Sequence, residues 1–378
     1  MKILVLAHGL RFTGGKTVGL SVVDALARVA PQHEYLVTIP PHLGYEARVE
    51  KLPHGRALVC AAKNRMQRRN FDRVTLRHAL QEFRPDVLFA LSGQGMTAPG
   101  CPQALFPQDP HLFYPVKHYA RDTLQNKIVK QYHQFKLGKH LRDTQLIFCQ
   151  SPVVEERIRR KFGYNGAARI IYSAPSTEIL TRRSDEGVPP EYKPYAEKTK
   201  LVYVSAYYGH KNVDAIADAF ELFPDALGNV VAFVTVAPQQ HVRAGRFIQR
   251  LESPAFAGRV INLGQVPHER IGDYYAAADG LLMPTLLETF GLPYVEAMSF
   301  GLPILTSNLD FAHAVCGDAA IYFDPWSPAS LRDAIVRFRD DGMLRKELAE
   351  KSRARLPQLA NSWDDITRTM VDELEKLA

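Results

Sequence analysis

Two glutamates, Glu288 and Glu296, lie on either side of a Phe-Gly-Leu-Pro turn in the C-terminal third of the chain. An apolar run precedes the turn, and a second apolar run follows it. Pro293 suits the first turn of a helix, where its missing N–H costs nothing, and Gly301 suits the position just past a helix end. The pattern predicts strand, glycine turn, helix and strand, with the helix beginning at about Gly291.

A helix start presents unpaired amides and the positive end of the helix dipole, which favours phosphate. Gly291 allows a ligand to approach the backbone closely. A carboxylate beside a phosphate is unfavourable unless it faces neutral hydrogen-bond donors, such as sugar hydroxyls. Glu288 and Glu296 therefore predict a diphosphate with a hydroxyl-rich group at each end, which is a nucleotide sugar. A glycoside hydrolase with two carboxyl groups about 5–10 Å apart is the alternative that these residues leave open.

The string ETFGLPYVE at residues 288–296, followed by Ala297-Met298 and by Gly-Leu-Pro at 301–303, resembles the signature of the family 4 retaining glycosyltransferases. The resemblance covers residues 200–330 well and the first half loosely. It implies the α/β GT-B fold, in which two Rossmann-like, doubly wound domains face each other across a cleft. It also implies transfer of a sugar from a nucleoside-diphosphate sugar to a hydroxyl of a saccharide or lipid-linked acceptor, as in cell-surface polysaccharide or glycolipid assembly.

Strand-like and helix-like segments alternate in both halves of the chain, which predicts parallel sheets covered by helices on both faces. We predict an N-terminal acceptor-binding domain over 1–176 and a proline-containing linker over 177–200. A C-terminal donor-binding domain is predicted over 201–358. A last helix over 359–378 has Ser362 as its N-cap. The resemblance implies that this helix packs back on the N-terminal domain.

The resemblance also assigns roles to individual residues. Lys211 is expected to neutralise the donor diphosphate, Glu296 to hold the ribose hydroxyls, and Glu288 to face the donor sugar near the reaction centre. An arginine that is usual in the family is replaced here by Ala206. The remaining expected donor contacts are Gly14, Gly15, Val266, Phe290, Gly291 and Leu292.

A further group of candidates follows a strand of the first domain. Many relatives have a histidine near the reacting sugar, and this chain has Gln108 at that position. Asp109 and His111 beside it are therefore the catalytic candidates, together with Glu288. The chain contains no Asp-x-Asp motif, and the family generally needs no metal. We expect neither a metal nor another cofactor.

The net charge of +7 arises from 47 basic and 40 acidic residues, and the excess is concentrated in the first half. One cluster comprises Lys63, Arg65, Arg68, Arg69 and Arg73, and another comprises Lys117, Arg121, Lys127, Lys130, Lys136, Lys139 and Arg142. Aromatic and apolar residues interleave the second cluster: Tyr119, Tyr132, Phe135 and Leu137. Two interpretations stay open, a solvated helix face and a face for anionic lipid headgroups or an acceptor diphosphate. Nucleic acid is not expected, because no nucleic-acid module accompanies the charge.

The length of 378 residues favours two domains. The N-terminal MKILVLAHGL is predicted to be a buried strand, since its apolar run is short and no cleavage pattern follows. Four scattered cysteines indicate free buried thiols. The expected location is the cytoplasm, with a peripheral position on the inner face of the membrane left open. Two rival functions also stay open: an epimerase that acts on the donor alone, and a non-catalytic nucleotide-sugar-binding protein.

Overall fold

The computed structural model describes residues 1–115, 123–175, 179–180, 187–359 and 362–378. The chain divides into two compact units. The first comprises Met1–Tyr114, Leu124–Ser173 and Asn361–Ala378, and the second comprises Pro115–Thr123 and Ala174–Ala360. Lys117, Tyr119 and Arg121 of the second basic cluster lie outside the described residues, as do 177–178 and 181–186 of the predicted linker.

The first unit contains a parallel sheet of seven strands in the order β3-β2-β1-β4-β5-β6-β7. The strands are β1 (Lys2–Leu6), β2 (Glu34–Ile39), β3 (Gly55–Val59), β4 (Val87–Ala90), β5 (Gln103–Leu105), β6 (Leu146–Cys149) and β7 (Ala167–Ile170). The helices are α1 (Thr13–Val29), α2 (Glu46–Val49), α3 (Arg65–Asn70), α4 (Leu76–Phe83), α5 (Leu124–Leu141) and α6 (Pro152–Phe162). A π-helical turn, Phe71–Thr75, joins α3 to α4.

The second unit contains a parallel sheet of six strands in the order β10-β9-β8-β11-β12-β13. The strands are β8 (Thr199–Tyr203), β9 (Val230–Val234), β10 (Val260–Asn262), β11 (Gly280–Met283), β12 (Ile304–Ser307) and β13 (Ala320–Phe323). The helices are α7 (Asp214–Leu222), α8 (Ala244–Leu251), α9 (Ile271–Ala277), α10 (Leu292–Ser299), α11 (Asp310–Cys316), α12 (Pro328–Asp340) and α13 (Gly342–Leu359). Two Rossmann-like α/β domains are thereby confirmed.

Each sheet has a point at which the strand order reverses. This switch point lies between β1 and β4 in the first unit and between β8 and β11 in the second. In open parallel sheets, ligands bind outside the carboxyl ends of the strands at such a point. A ligand site is therefore expected at the loops that follow these four strands.

The last helix, α14 (Trp363–Glu375), belongs to the first unit and packs on α1. Met370 and Leu374 are fully buried. The guanidinium Nε of Arg28, on α1, lies 3.1 Å from both carboxylate oxygens of Asp364. The core of the first unit thus includes a segment that follows the whole second unit in sequence.

Several elements differ from the sequence-based expectations. The edge strand β3 and the strand β13 were not predicted. Within the predicted linker, Tyr192 is buried and stacks on Phe233 of β9 with ring centroids 3.9 Å apart. Residues 187–198 therefore pack on the second unit instead of forming an extended connection. Cys101 is only half-buried, whereas the other three cysteines are buried thiols.

None of the helices in the described ranges combines the length and the apolarity that crossing a membrane requires.

Candidate active site

The loops that follow β8 and β11 are joined by hydrogen bonds across the switch point of the second sheet. The amide of Leu286 donates to the carbonyl of His210 at 2.7 Å. The side-chain amide of Asn212 donates to the carbonyl of Pro284 at 3.1 Å, and Asn212 itself has a left-handed backbone with φ of 55°. These contacts hold Lys211 against the loop that leads into α10.

Lys211 and Glu288 form an ion pair, with Nζ 2.6 Å from Oε1. The hydroxyl of Thr285 donates to the same carboxylate oxygen at 3.1 Å. The two charged side chains are only 16% and 8% exposed, so the pair is shielded from solvent. A lysine and a glutamate 77 positions apart in sequence thus meet where the strand order reverses.

The start of α10 faces the same loop. Gly291 is the N-cap residue with φ of 86°, and a Cβ added there would lie 2.6 Å from the ring of Tyr294. No described side chain caps this helix start, and Leu292 and Pro293 occupy its first two positions. Phe290 is buried beside them. Pro293 has no N–H, and the amide of Tyr294 donates to the carbonyl of Gly291 at 2.9 Å. The backbone at this point suits an anion through the amide of Leu292, because the first amides of a helix lack a partner one turn back.

Glu296 lies about one turn into α10 and is almost fully buried. Its Oε2 accepts a hydrogen bond of 2.9 Å from the hydroxyl of Tyr275 on α9. Burial raises the pKa of Glu296 to about 7, although the Tyr275 hydrogen bond and the charge of Lys211 both favour the carboxylate. The two glutamates therefore differ in environment, since Glu288 has a cationic partner and Glu296 a neutral phenol.

Val266 lies in the loop after β10, at the outer edge of the sheet, and is half-buried. The order of the strands places β9 between β10 and β8. Val266 therefore stands at the same carboxyl edge as Lys211 but follows a strand two places away.

The predicted residues of the first unit lie at the carboxyl ends of its own strands. Gly14 and Gly15 are in the first turn of α1, which follows β1. Asp109 caps a short turn that follows β5, and its Oδ1 accepts from both the backbone amide and the ring Nδ1 of His111, each at 2.9 Å. Gln108, at the family's histidine position, donates to the carbonyl of Leu91 at 2.6 Å.

Asp109 and His111 are electrostatically coupled. Desolvation opposes the ionisation of Asp109, whose side chain is 52% exposed, but the charge and the hydrogen bonds of His111 lower its pKa to about 2. The His111 ring itself is buried. Asp109 thus fixes the orientation of the imidazole through Nδ1 and also closes the turn that carries it.

Residues 186–355 match the sequence model of the family described as Glycosyl transferases group 1. This match covers slightly less than half of the chain. The group 1 region includes Lys211, Glu288 and Glu296, and thus the whole switch point of the second sheet.

A curated relative matches over a longer part of the chain. The O-antigen chain mannosyltransferase B of Escherichia coli is 27% identical over 255 residues, which are 65% of this chain and 65% of that relative. The chain therefore spans slightly less than two thirds of the length of this curated relative.

Solved structures give the fold of the whole chain. Sucrose-phosphate synthase from Thermosynechococcus elongatus has a TM-score of 0.75 at 18% identity and covers 100% of this chain and 98% of its own. HepE from Anabaena, solved in complex with UDP and glucose, has a TM-score of 0.74 at 16% identity and covers 100% of both chains. The GT-B fold is confirmed.

Two site residues were not predicted from the sequence, Thr285 and Tyr275. Thr285 lies three residues before Glu288, just ahead of the signature string, so its position in the sequence was an available signal. Tyr275 reaches Glu296 from a different helix. Only the packing of α9 beside α10 brings these two groups together.

Proposed function

We propose that the protein is a retaining glycosyltransferase that moves a sugar from a nucleoside-diphosphate sugar to a hydroxyl of a saccharide or lipid-linked acceptor. The observation that carries this proposal is the Lys211–Glu288 pair at 2.6 Å, set beside the start of α10 at a switch point. The name of the E. coli relative and the UDP and glucose bound to HepE support a nucleotide-sugar donor. Assembly of a cell-surface polysaccharide or glycolipid is the proposed context.

Each group at this edge has a task in the proposed reaction. Lys211 and the first amides of α10 stabilise the charge that develops on the diphosphate. Glu288 accepts hydrogen bonds from the donor sugar, and Glu296 accepts them from the ribose. Val266 contacts the base. Gly14, Gly15, Asp109 and His111, which belong to the first unit, keep the donor-binding and catalytic roles that the resemblance implies.

Retention follows from the direction of attack. The bond between the anomeric carbon and the diphosphate oxygen breaks, and its electron pair leaves with the diphosphate. The acceptor oxygen bonds to the anomeric carbon on the same face, and its proton passes to the leaving phosphate oxygen. This scheme needs neither a metal nor a covalent enzyme intermediate.

The test is a thermal-shift screen of uridine, guanosine and adenosine diphosphate sugars, followed by turnover assays on the donors that bind. Transfer with an unchanged anomeric configuration, read by NMR, is the expected result. A new sugar formed without acceptor would indicate an epimerase, and binding without turnover would indicate a binding protein. Failure to bind any nucleotide would refute the proposal.

We also infer a peripheral position on an anionic membrane, from one face of α5. Four exposed apolar side chains repeat along this helix at positions 124, 128, 132 and 135, and each is between 57% and 75% exposed. Lys139 lies over the ring of Phe135 at 4.8 Å, and Lys127 is on the same helix. An apolar stripe beside lysines is typical of helices that lie in a membrane interface.

Vesicle co-sedimentation tests this inference. The wild type is expected to sediment with phosphatidylglycerol vesicles and much less with phosphatidylcholine vesicles. Ile128→Gln combined with Phe135→Gln should reduce sedimentation at least fivefold, whereas Val242→Gln, an exposed apolar position in the second unit, should not. Equal sedimentation of all three proteins would contradict the inference.

A further inference from the structure

A second cluster of charged side chains lies at the switch point of the first sheet. Asp72, in the π-helical turn, accepts a hydrogen bond from Nε of Arg68 at 3.0 Å and lies 3.3 Å from Nε2 of His8. The ammonium group of Lys136 on α5 is 4.0 Å from the other oxygen of Asp72. It also donates to the side chain of Gln94 at 3.4 Å. His8 follows β1 and Gln94 follows β4, so the cluster occupies the position expected for a ligand in this sheet.

Positive charge exceeds negative charge in this cluster. Asp72 is the carboxylate that Arg68 and Lys136 share. Burial lowers the pKa of Lys136, and the neighbouring Arg68 and Arg73 lower it further against the opposing effect of Asp72. Burial also lowers the pKa of nearby His133, where Lys136 and Arg68 act in the same direction and Asp109 acts against them. An additional anion would relieve the repulsion between these cations.

The cations can be reached from solvent. The side chains of Arg68 and Lys136 are 25% and 27% exposed, whereas that of His8 is only 3% exposed. A Cβ added at Gly9 would lie 3.1 Å from Oγ of Ser92 and 3.7 Å from the guanidinium of Arg68, so the backbone comes close to the cluster here. The π-helical turn that positions Asp72 is a rare element that occurs often at functional sites.

We propose that Arg68 and Lys136 bind a phosphate group of the acceptor, either a phosphate monoester or a diphosphate. This assignment rests on the glycosyltransferase function proposed above, because it assigns the binding of the second substrate, the acceptor, to the first unit. Arg68 supplies a planar fork of donors and Lys136 a compact point charge, a combination that suits phosphate oxygens. Asp72 contacts both cations, and Arg65 adds positive charge nearby.

Titration calorimetry with inorganic pyrophosphate tests the site. The measurements use the Lys211→Gln variant as background, because this substitution weakens the proposed donor site. The pyrophosphate binding that remains then reports on the first unit. Adding Arg68→Gln or Lys136→Gln should weaken this binding at least tenfold. Adding Lys139→Gln, which removes an exposed lysine of the same helix, should leave it within twofold. Unchanged binding in the Arg68 and Lys136 variants would overturn the proposal.

Charge-preserving variants separate binding from folding. Arg68→Lys and Lys136→Arg should keep pyrophosphate affinity within about fivefold, while circular dichroism verifies that every variant is folded. Loss of affinity in these two variants that matches the loss in the glutamine variants would mean that the cluster is structural, and would overturn the proposal.

Two probes distinguish the source of the phosphate. Glucose 6-phosphate represents a soluble acceptor, and phosphatidylcholine vesicles with a polyprenyl diphosphate represent a lipid-borne one. Binding of either probe that depends on Arg68 and Lys136 supports the site and identifies the source of the phosphate. If neither probe binds, the proposal is overturned.

The nucleotide titration is a separate readout for the proposed activity. The binding of nucleoside diphosphate should depend on Lys211 and should be unaffected by Arg68→Gln. If no nucleotide binds but pyrophosphate binding still depends on Arg68 and Lys136, the proposed glycosyl transfer is refuted. The phosphate site in the first unit is then retained.

Discussion

Glu288 and Glu296 lie on either side of one turn but have different partners. Glu288 is paired with Lys211, and Glu296 accepts a hydrogen bond from Tyr275 in a buried position. In the proposed reaction, Lys211 exchanges its carboxylate partner for the diphosphate when a donor binds. The ion pair thus keeps two otherwise costly buried charges compatible with folding while the donor is absent.

Removing the cation alone should affect both stability and binding. Lys211→Met leaves Glu288 buried without its partner, so we expect a loss of about 3 kcal/mol in the free energy of unfolding. It should also weaken nucleoside diphosphate binding more than tenfold. Urea denaturation and calorimetry measure the two effects.

The double variant Lys211→Met with Glu288→Gln is the control, because it should recover most of the stability and none of the binding. Glu288→Gln alone frees Lys211 and should strengthen nucleoside diphosphate binding while it slows transfer. Recovery of binding in the double variant would contradict the proposed role of Lys211.

Glu296 should make stability depend on pH. Its pKa is about 7 in the folded protein against about 4.5 in the unfolded chain, so the folded state binds the proton more tightly. The stabilisation from this proton is fully present below pH 4.5. It falls by about 3 kcal/mol as the pH rises to 7 and is absent at higher pH. The difference in unfolding free energy between wild type and Glu296→Gln, measured at pH 4.5, 6 and 8, should follow this course. A flat difference would contradict it.

At the scale of elements, the site depends on how α10 begins. The positive φ of Gly291 turns the chain from β11 into the helix and leaves no room for a side chain beside Tyr294. Its backbone conformation and its lack of a Cβ are therefore both required. A change here alters the helix start, and with it the amides proposed to bind phosphate.

Gly291→Ala should reduce the free energy of unfolding by about 1–3 kcal/mol, because alanine is strained at this φ and meets the Tyr294 ring. It should also weaken nucleoside diphosphate binding. The matched control is Gly245→Ala in α8, where an added Cβ meets no described atom within 4 Å. That variant should be neutral or up to about 1 kcal/mol more stable. Equal effects of the two substitutions in urea denaturation would contradict this account of α10.

The sequence predicted elements best where apolar residues are buried on both faces. The predicted order of strand, turn, helix and strand agrees with the buried β11, α10 and the buried β12, and the helix start at Gly291 was also correct. The strand β3 was missed because it is an exposed edge strand that contains Arg56, and its pattern lacks a buried run. The π-helical turn was missed because nothing in the local sequence distinguishes it from α-helix.

The site was predictable as far as its signature extends along the chain. The loop with Glu288 and the helix with Glu296 were recognisable from residues 288–296 alone. The Lys211–Glu288 contact was not, because it requires β8 and β11 to be neighbours in the sheet. The charge cluster around Asp72 likewise depends on helices and loops that are distant in sequence.

At the scale of the whole molecule, the first unit is assembled from both ends of the chain. β1 and α1 come first, and α14 comes after the complete second unit. His33 Nε2 lies 2.9 Å from Glu375, and Arg169 of β7 lies 2.9 Å from Glu373. These contacts and the buried face of α14 connect it to the sheet side of the unit as well as to α1.

A chain that ends at residue 359 should lose stability in the first unit alone. It would expose the α1 surface that Met370 and Leu374 now cover, and each fully buried side chain of this size contributes about 1.5–3 kcal/mol. Hydrogen exchange should speed up in β1 and β4 but not in β8 and β11. Arg368→Ala, at an exposed position of α14, is the control and should change neither. Equal acceleration in all four strands would contradict this prediction.

The position of α14 has a consequence for synthesis on the ribosome. The surface of α1 that α14 covers stays open while every residue of the second unit is translated. The second unit can therefore complete its fold first, although it begins later. We expect the growing chain to expose an apolar patch on α1 throughout that interval, and a chaperone that binds nascent chains would find its target there.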